Sequence, residues 1–203
     1  VIIKDSIYLE TSRKPFNIIG ISPNIGYYSI YAIAVDDSDT ETTTDTINII
    51  IGDCNTGTNQ IKNSSFSDGK TSWITWKAYG NDMNLVIDST LMEDNYVLKA
   101  QISHVSGITE DIRLYTLLSF NANKYYRLCF QAKAENEKEI RFLVKEGGIH
   151  GEVYWQKDMI LNNSLSDYGP FIFKLDKDVD PGEISFYIGT ADNDLWLDNI
   201  VLT

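Results

Sequence analysis

Apolar residues in this chain recur at every second position, not every third and fourth, and that period confines it to sheet structure. No window of about a dozen residues carries the i, i+3, i+4, i+7 stripe of an amphipathic helix. Residues 28–35 and 44–51 alternate, with Asp36-Asp37-Ser38-Asp39 as the turn between them. Further strands are predicted over 84–88, 96–103, 111–118, 124–134, 140–146, 152–157, 169–175, 183–188 and 195–202. Gly80-Asn81-Asp82, Ser106-Gly107, Gly147-Gly148 and Asp180-Pro181-Gly182 supply the turn chemistry between most of them. Short strands so punctuated, with no helix to cross between parallel neighbours, predict an all-β jelly-roll sandwich.

The polar, aperiodic stretch Gly52-Asp53-Cys54-Asn55-Thr56-Gly57-Thr58-Asn59 reads as a boundary. It divides the chain into residues 1–52, a linker at 53–59 and a sandwich over 60–203. The sandwich is bracketed by Asn63-Ser64-Ser65-Phe66-Ser67-Asp68-Gly69 and by a closing strand that carries Asp198 and Asn199 among Leu, Ile and Val. A carboxylate in such a strand is costly to bury unless paired, hydrogen-bonded or bound to a metal. The first and last strands are therefore expected to meet there. Residues 1–52 are too few for a complete seven-strand sandwich, which takes about 100.

The composition, 43% hydrophobic with 12% aromatic residues, supports a real core. No apolar run approaches the roughly 20 residues of a membrane-spanning helix. With 29 acidic against 17 basic residues the net charge is −12, which disfavours nucleic acid and anionic membrane as partners. The chain begins at Val1 with neither an initiator Met nor a signal-peptide pattern, and reads as a fragment or processed chain. Cys54 and Cys129 could form one disulfide, but the count alone does not decide it, and Cys129 in Leu128-Cys129-Phe130 is favoured as a free thiol in the core.

Several pieces, in order, carry a resemblance. Asn63-Ser64-Ser65-Phe66 with Ser72-Trp73 stands at the entry, followed by Tyr96-Val97-Leu98-Lys99-Ala100 and Asp111-Ile112-Arg113-Leu114-Tyr115. Lys124-Tyr125-Tyr126-Arg127-Leu128-Cys129-Phe130-Gln131-Ala132-Lys133-Ala134 and the closing Leu197-Asp198-Asn199-Ile200 complete the set. Residues of about 59–203 thus resemble a carbohydrate-binding module of the family 4, 9, 16 and 22 type. Lys14-Pro15-Phe16, then residues 26–36 and 42–49, resemble the second half of a bacterial immunoglobulin-like domain. These resemblances imply a secreted or cell-surface bacterial protein. Its module would bind polysaccharide or oligosaccharide in a concave groove, covalently linked to the other modules of a larger glycoside hydrolase or polysaccharide lyase. The alternative is a structural or adhesive spacer that meets other proteins.

Such modules often hold one structural Ca2+, with ligands from the entry motif and the closing Asp. Asp198 is retained here, but Ser65 and Ser67 stand where acidic residues are usual, which removes two formal charges. The alternative is that Asp198 hydrogen-bonds Ser65, Ser67 and nearby amides without metal.

Sugars present apolar C–H faces that flat rings can support, with planar hydrogen-bonding groups at the edge. Trp73 is read as core packing and Trp196 as structural, leaving Trp76, Tyr79 and Trp155 as platforms. Strand parity adds the rest. If Ile112 and Leu114 face the core, Arg113 and Tyr115 face the groove, and Lys145 lies opposite Ile140, Phe142 and Val144 in the same way. The expected site is Trp76, Tyr79, Arg113, Tyr115, Lys145 and Trp155. Catalysis is not expected. Glu110 and Asp111 are adjacent and point apart, His104 and His150 are isolated loop residues, and the Glu-x-Asp-x-x-Glu and Arg-x-Glu-x-Arg signatures are absent.

Overall fold

A computed structural model of the chain describes residues 26–51, 54, 57–90 and 96–203. The chain divides into two compact units, Val1–Asp53 and Cys54–Thr203. In the first, β1 (Gly26–Ile30) pairs antiparallel with β4 (Ile47–Ile51), and β2 (Ile33–Val35) pairs with β3 (Glu41–Thr43). The result is one long hairpin interrupted at Ala32, whose N–H donates to Thr44 Oγ1 at 2.9 Å while its carbonyl accepts from Thr44 N at 2.8 Å. Its tip is the expected one: Asp36 Oδ1 accepts from the amides of Ser38 and Thr40. The Lys14-Pro15-Phe16 part of the immunoglobulin-like expectation lies outside the described residues.

The second unit is a sandwich of two five-stranded antiparallel sheets. Its strands are β5 (Ile74–Lys77), β6 (Asp82–Asp88), β7 (Val97–His104), β8 (Ile112–Phe120), β9 (Tyr125–Ala134), β10 (Lys138–Glu146), β11 (Val153–Leu161), β12 (Ser166–Lys174), β13 (Val179–Tyr187) and β14 (Leu195–Leu202). One sheet runs β11-β10-β13-β8-β5 and the other β12-β9-β14-β7-β6. Repeated crossing between the sheets, as from β8 to β9 and from β12 to β13, makes this the expected jelly roll.

Period-two patterning determines what lies between the sheets. Ile112 and Leu114 of β8, Ile140, Phe142 and Val144 of β10, and Ile184 and Phe186 of β13 meet Leu128, Phe130 and Ala132 of β9 and Leu195 and Leu197 of β14. Phe142, Phe130, Phe186 and Phe171 lie within 4.9–6.0 Å of one another in the pairs they form. Full burial of each such ring contributes about 2–3 kcal/mol. Trp73 joins the same core, 5.5 Å from Phe66 and 6.4 Å from Phe186, as expected. In β14 the register slips between Asp198 and Val201, so the inward set changes from Leu195 and Leu197 to Ile200 and Leu202. The entry segment meets the closing strand there: Asn59 bonds Leu202 N and Ile200 O, Gln60 N donates to Leu202 O, and Ile200 N donates to Ser64 O.

Three sequence expectations need correcting. β5 was not foreseen, because its four residues are too few to show a period. Asp180-Pro181-Gly182 is no turn but an irregularity within β13, where a side chain on Gly182 would collide with the Phe120 ring. Cys129 is not a free core thiol: Leu128 and Phe130 point inward, so Cys129 points outward, and it is joined to Cys54 in a disulfide.

Candidate ligand-binding face

The face of the β11-β10-β13-β8-β5 sheet turned away from the core is set by the residues between the core positions. Register places Trp76 of β5 beside Arg113 of β8, Arg113 beside Tyr187 of β13, and Tyr187 beside Arg141 of β10. One row along, Tyr115, Ser185, Leu143 and Gln156 are neighbours across four strands. A third row aligns Leu117, Glu183 and Lys145. The rings of Trp76, Tyr115 and Tyr187 are half-buried and present an edge or face to solvent.

Beneath these rings lies charge. The Arg113 guanidinium, 4% exposed, sits 4.8 Å from the Trp76 ring and 5.4 Å from the Tyr115 ring, within cation–π range of both. Glu183, 1% exposed, lies between two cations: Oε1 is 3.9 Å from Arg113 Nη1 and Oε2 is 3.7 Å from Lys145 Nζ. Both separations exceed hydrogen-bond length. Both Glu183 oxygens, Arg113 Nε and Ser185 Oγ lack a hydrogen-bond partner among the described residues. Lys145 donates to the Gly148 carbonyl. Burial pushes the Lys145 ammonium below its ordinary pKa, and Glu183 opposes this while Arg113 adds to it. Burial raises the Tyr187 phenol, with the nearby Arg113 pulling the other way. At the rim Arg141 holds Asp158 through Nε at 2.6 Å and Nη2 at 3.3 Å, and Glu110 through Nη1 at 2.6 Å. That pairing raises the pKa of Arg141 and lowers that of Asp158.

Of the six residues expected at the site, four share this face: Trp76, Arg113, Tyr115 and Lys145. Lys145 is sealed at 1% exposure, so, contrary to expectation, its ammonium is not presented to solvent. Tyr79 stands in the turn after β5, fully exposed and two residues beyond the strand. Trp155 faces the other way: it is opposite Val144 in register and packs on Phe142 at 4.7 Å, Phe173 at 5.8 Å and Phe171 at 6.1 Å. Its period matches the core, and the proximity of the Gly-rich loop is misleading. Sequence reasoning missed Glu183, Tyr187 and Arg141. The alternation Glu183-Ile184-Ser185-Phe186-Tyr187 carried the parity signal, but which strands flank β13 is a tertiary fact.

The expected calcium ligands do not make a charge-rich set. Asp198 is fully buried, Ser65 is half-buried and Ser67 is exposed. No group of three or more His, Cys, Asp or Glu that could hold a metal occurs among the described residues. Calcium takes six to eight oxygens, and of the three residues expected to hold it Asp198 supplies the one carboxylate. The entry turn is instead fastened by Asn63, whose amide donates to Gly69 O and Thr71 O and accepts from Asp68 N, while Trp73 Nε1 donates to Asn63 O. Trp196 is structural, as expected: its indole N–H donates to Asp88, and Lys99 and Lys133 lie 4.6 and 4.4 Å from its ring.

No protein-family model matches the chain, and none of the curated proteins does. Solved structures do. A CBM4 module is 18% identical, with 70% of this chain and 98% of that one covered at a TM-score of 0.61. The N-terminal cellulose-binding domain of β-1,4-glucanase C from Cellulomonas fimi is 18% identical, covering 68% and 92% at a TM-score of 0.52. The enzymatically active domain of tailspike protein 4 from bacteriophage CBA120 is 13% identical, covering 71% of this chain but 21% of that one, at 0.54. The second unit therefore has the jelly-roll fold of carbohydrate-binding modules.

Proposed function

We propose that residues 54–203 bind a neutral polysaccharide or oligosaccharide across the outer face of the β11-β10-β13-β8-β5 sheet, as a non-catalytic module of a secreted polysaccharide-degrading enzyme. One observation carries this reading: three half-buried rings, Trp76, Tyr115 and Tyr187, stand on adjacent strands of a face that the core does not need, with Arg113 stacked against the first two. Such rings support the C–H faces of pyranoses, and Gln156, exposed on β11 at the other side of the same face, offers a planar amide. Neutrality follows from where the charges lie. Arg113 and Lys145 are sealed, whereas the rim carboxylates of Glu110 and Asp158 are about half exposed, 48% and 50%. With a net charge of −12 around it, this face repels a polyanion.

Affinity electrophoresis through gels with embedded neutral and uronate-bearing polysaccharides tests the reading. Retardation by a neutral polysaccharide is expected, with Trp76→Ala weakening it at least tenfold, about 1.4 kcal/mol. Unretarded migration in every gel refutes it. The sealed floor, where Leu143, Lys145, Glu183 and Ser185 are each at most 1% exposed, favours the spacer alternative, and that outcome would support it.

A further inference from the structure

Arg113, Glu183 and Lys145 place three charges, each at least 95% buried, on a sheet face where the fold asks for none. Replacing a buried ion triad with apolar residues of similar size is commonly neutral or stabilising, so fold stability does not account for it. The cluster has a different neighbour to serve. Arg113 lies against both the Trp76 and the Tyr115 ring and across from Tyr187, so displacing the guanidinium removes a neighbour that the two rings share.

Glu183 is the carboxylate between Arg113 and Lys145. Without it two like charges two rows apart in a desolvated site would repel, and the long Arg113 side chain would swing out toward Tyr187 and solvent. We infer that Glu183 is the positioning residue of the ligand face: its carboxylate keeps the Arg113 guanidinium against Trp76 and Tyr115 and thereby fixes the rings that receive the sugar. The inference rests on the glycan-binding reading and assigns a residue that need not touch ligand.

The test is a double-mutant cycle in the full chain, read as affinity for the polysaccharide that retards the wild type. Glu183→Gln and Arg113→Met should each weaken binding about tenfold, and the double variant should bind no worse than Arg113→Met alone, because Glu183 acts through Arg113. Losses that multiply in the double variant, or a folded Glu183→Gln with wild-type affinity, overturn the inference. If Glu183→Gln does not fold, Glu183→Asp replaces it. That variant keeps the charge but withdraws it by one methylene, so an intermediate loss is expected and unchanged affinity is the refuting result.

A second readout does not depend on sugar. The Tyr187 phenol is faced by Arg113 from β8, Arg141 from β10, Glu110 from the turn before β8, and Glu183 on its own strand. With ring-labelled tyrosine, and Tyr187→Phe to assign the signal, the phenol should titrate at lower pH in Glu183→Gln, since the carboxylate that raises it is gone and Arg113 is released toward it. If no polysaccharide binds even the wild type, the glycan-binding reading falls while this titration still judges the hold of Glu183 on Arg113. An unchanged titration overturns that as well.

Discussion

Breaking the Cys54–Cys129 disulfide should destabilise the second unit strongly, and through the unfolded chain more than the folded one. The two residues are 75 apart in sequence, so the bond closes a long loop in the denatured ensemble. The chain-entropy relation gives a loss of about 15 cal/mol/K for a loop of that length, or about 4.5 kcal/mol at 25 °C. The folded side changes little: Cys129 lies on the outer face of β9, so replacing the pair removes two sulfur atoms there and opens no hole between the sheets. For a unit running from Cys54 to Thr203 the unfolding entropy at the midpoint is about 0.3 kcal/mol/K, and the midpoint should fall by roughly 10–15 °C. The assay is thermal and urea unfolding of the oxidised chain against Cys54→Ser/Cys129→Ala, followed by intrinsic fluorescence. The urea m-value should rise in the variant, because the untethered chain exposes more surface. A midpoint within about 3 °C of the wild type, with an unchanged m-value, would refute the reasoning. It would mean that the denatured chain is already held compact without the bond.

Further outcomes follow from individual contacts. Lys138, 1% exposed in β10, donates to Ala191 O, Asn193 O and Asn193 Oδ1. Burial pushes its ammonium down to about 8, against the pull of Asp192 and Asp194. From that value up to its ordinary 10.5 the unfolded chain holds a proton that the folded chain has lost, so its contribution to stability rises with pH across this window. The gain is about 2 kcal/mol between roughly pH 8 and 9.5. Urea unfolding at the two pH values should show that rise in the wild type and lose it in Lys138→Met. Trp155→Ala should cost about 3 kcal/mol of stability by emptying the space beside Phe142, with sugar affinity retained, whereas Trp76→Ala should do the reverse. Paired melts and gel retardation separate these two. Millimolar Ca2+ or a chelator should leave the melting midpoint within about 1 °C, because Asn63 and Trp73 already fasten the entry turn; a rise of several degrees with Ca2+ would show that Asp198 has metal partners.

Much of this protein is legible in the alternation of its residues. Because side chains in a strand change face at every step, the pattern of residues 111–118 and 140–146 was enough to place Ile112, Leu114, Ile140, Phe142 and Val144 inside and Arg113, Tyr115 and Lys145 outside. The same rule explains the failures. Cys129 and Trp155 were judged by their apolar or Gly-rich surroundings and not by parity, and the structure places each on the face opposite to the expected one. Period alone carries no information about neighbours. That β13 lies between β8 and β10, so that Glu183 meets Arg113 and Lys145 and Tyr187 meets both Arg113 and Arg141, is decided by chain crossings between the sheets. Burial was equally hidden: a lysine on an outward position reads as solvated in sequence, and Lys145 is sealed because its neighbours across strands and the Gly148 carbonyl cover it. The sequence by itself determined which residues face which way, since that needs only local geometry. The tertiary structure decided which of them touch, since that depends on segments brought together from opposite ends of the chain.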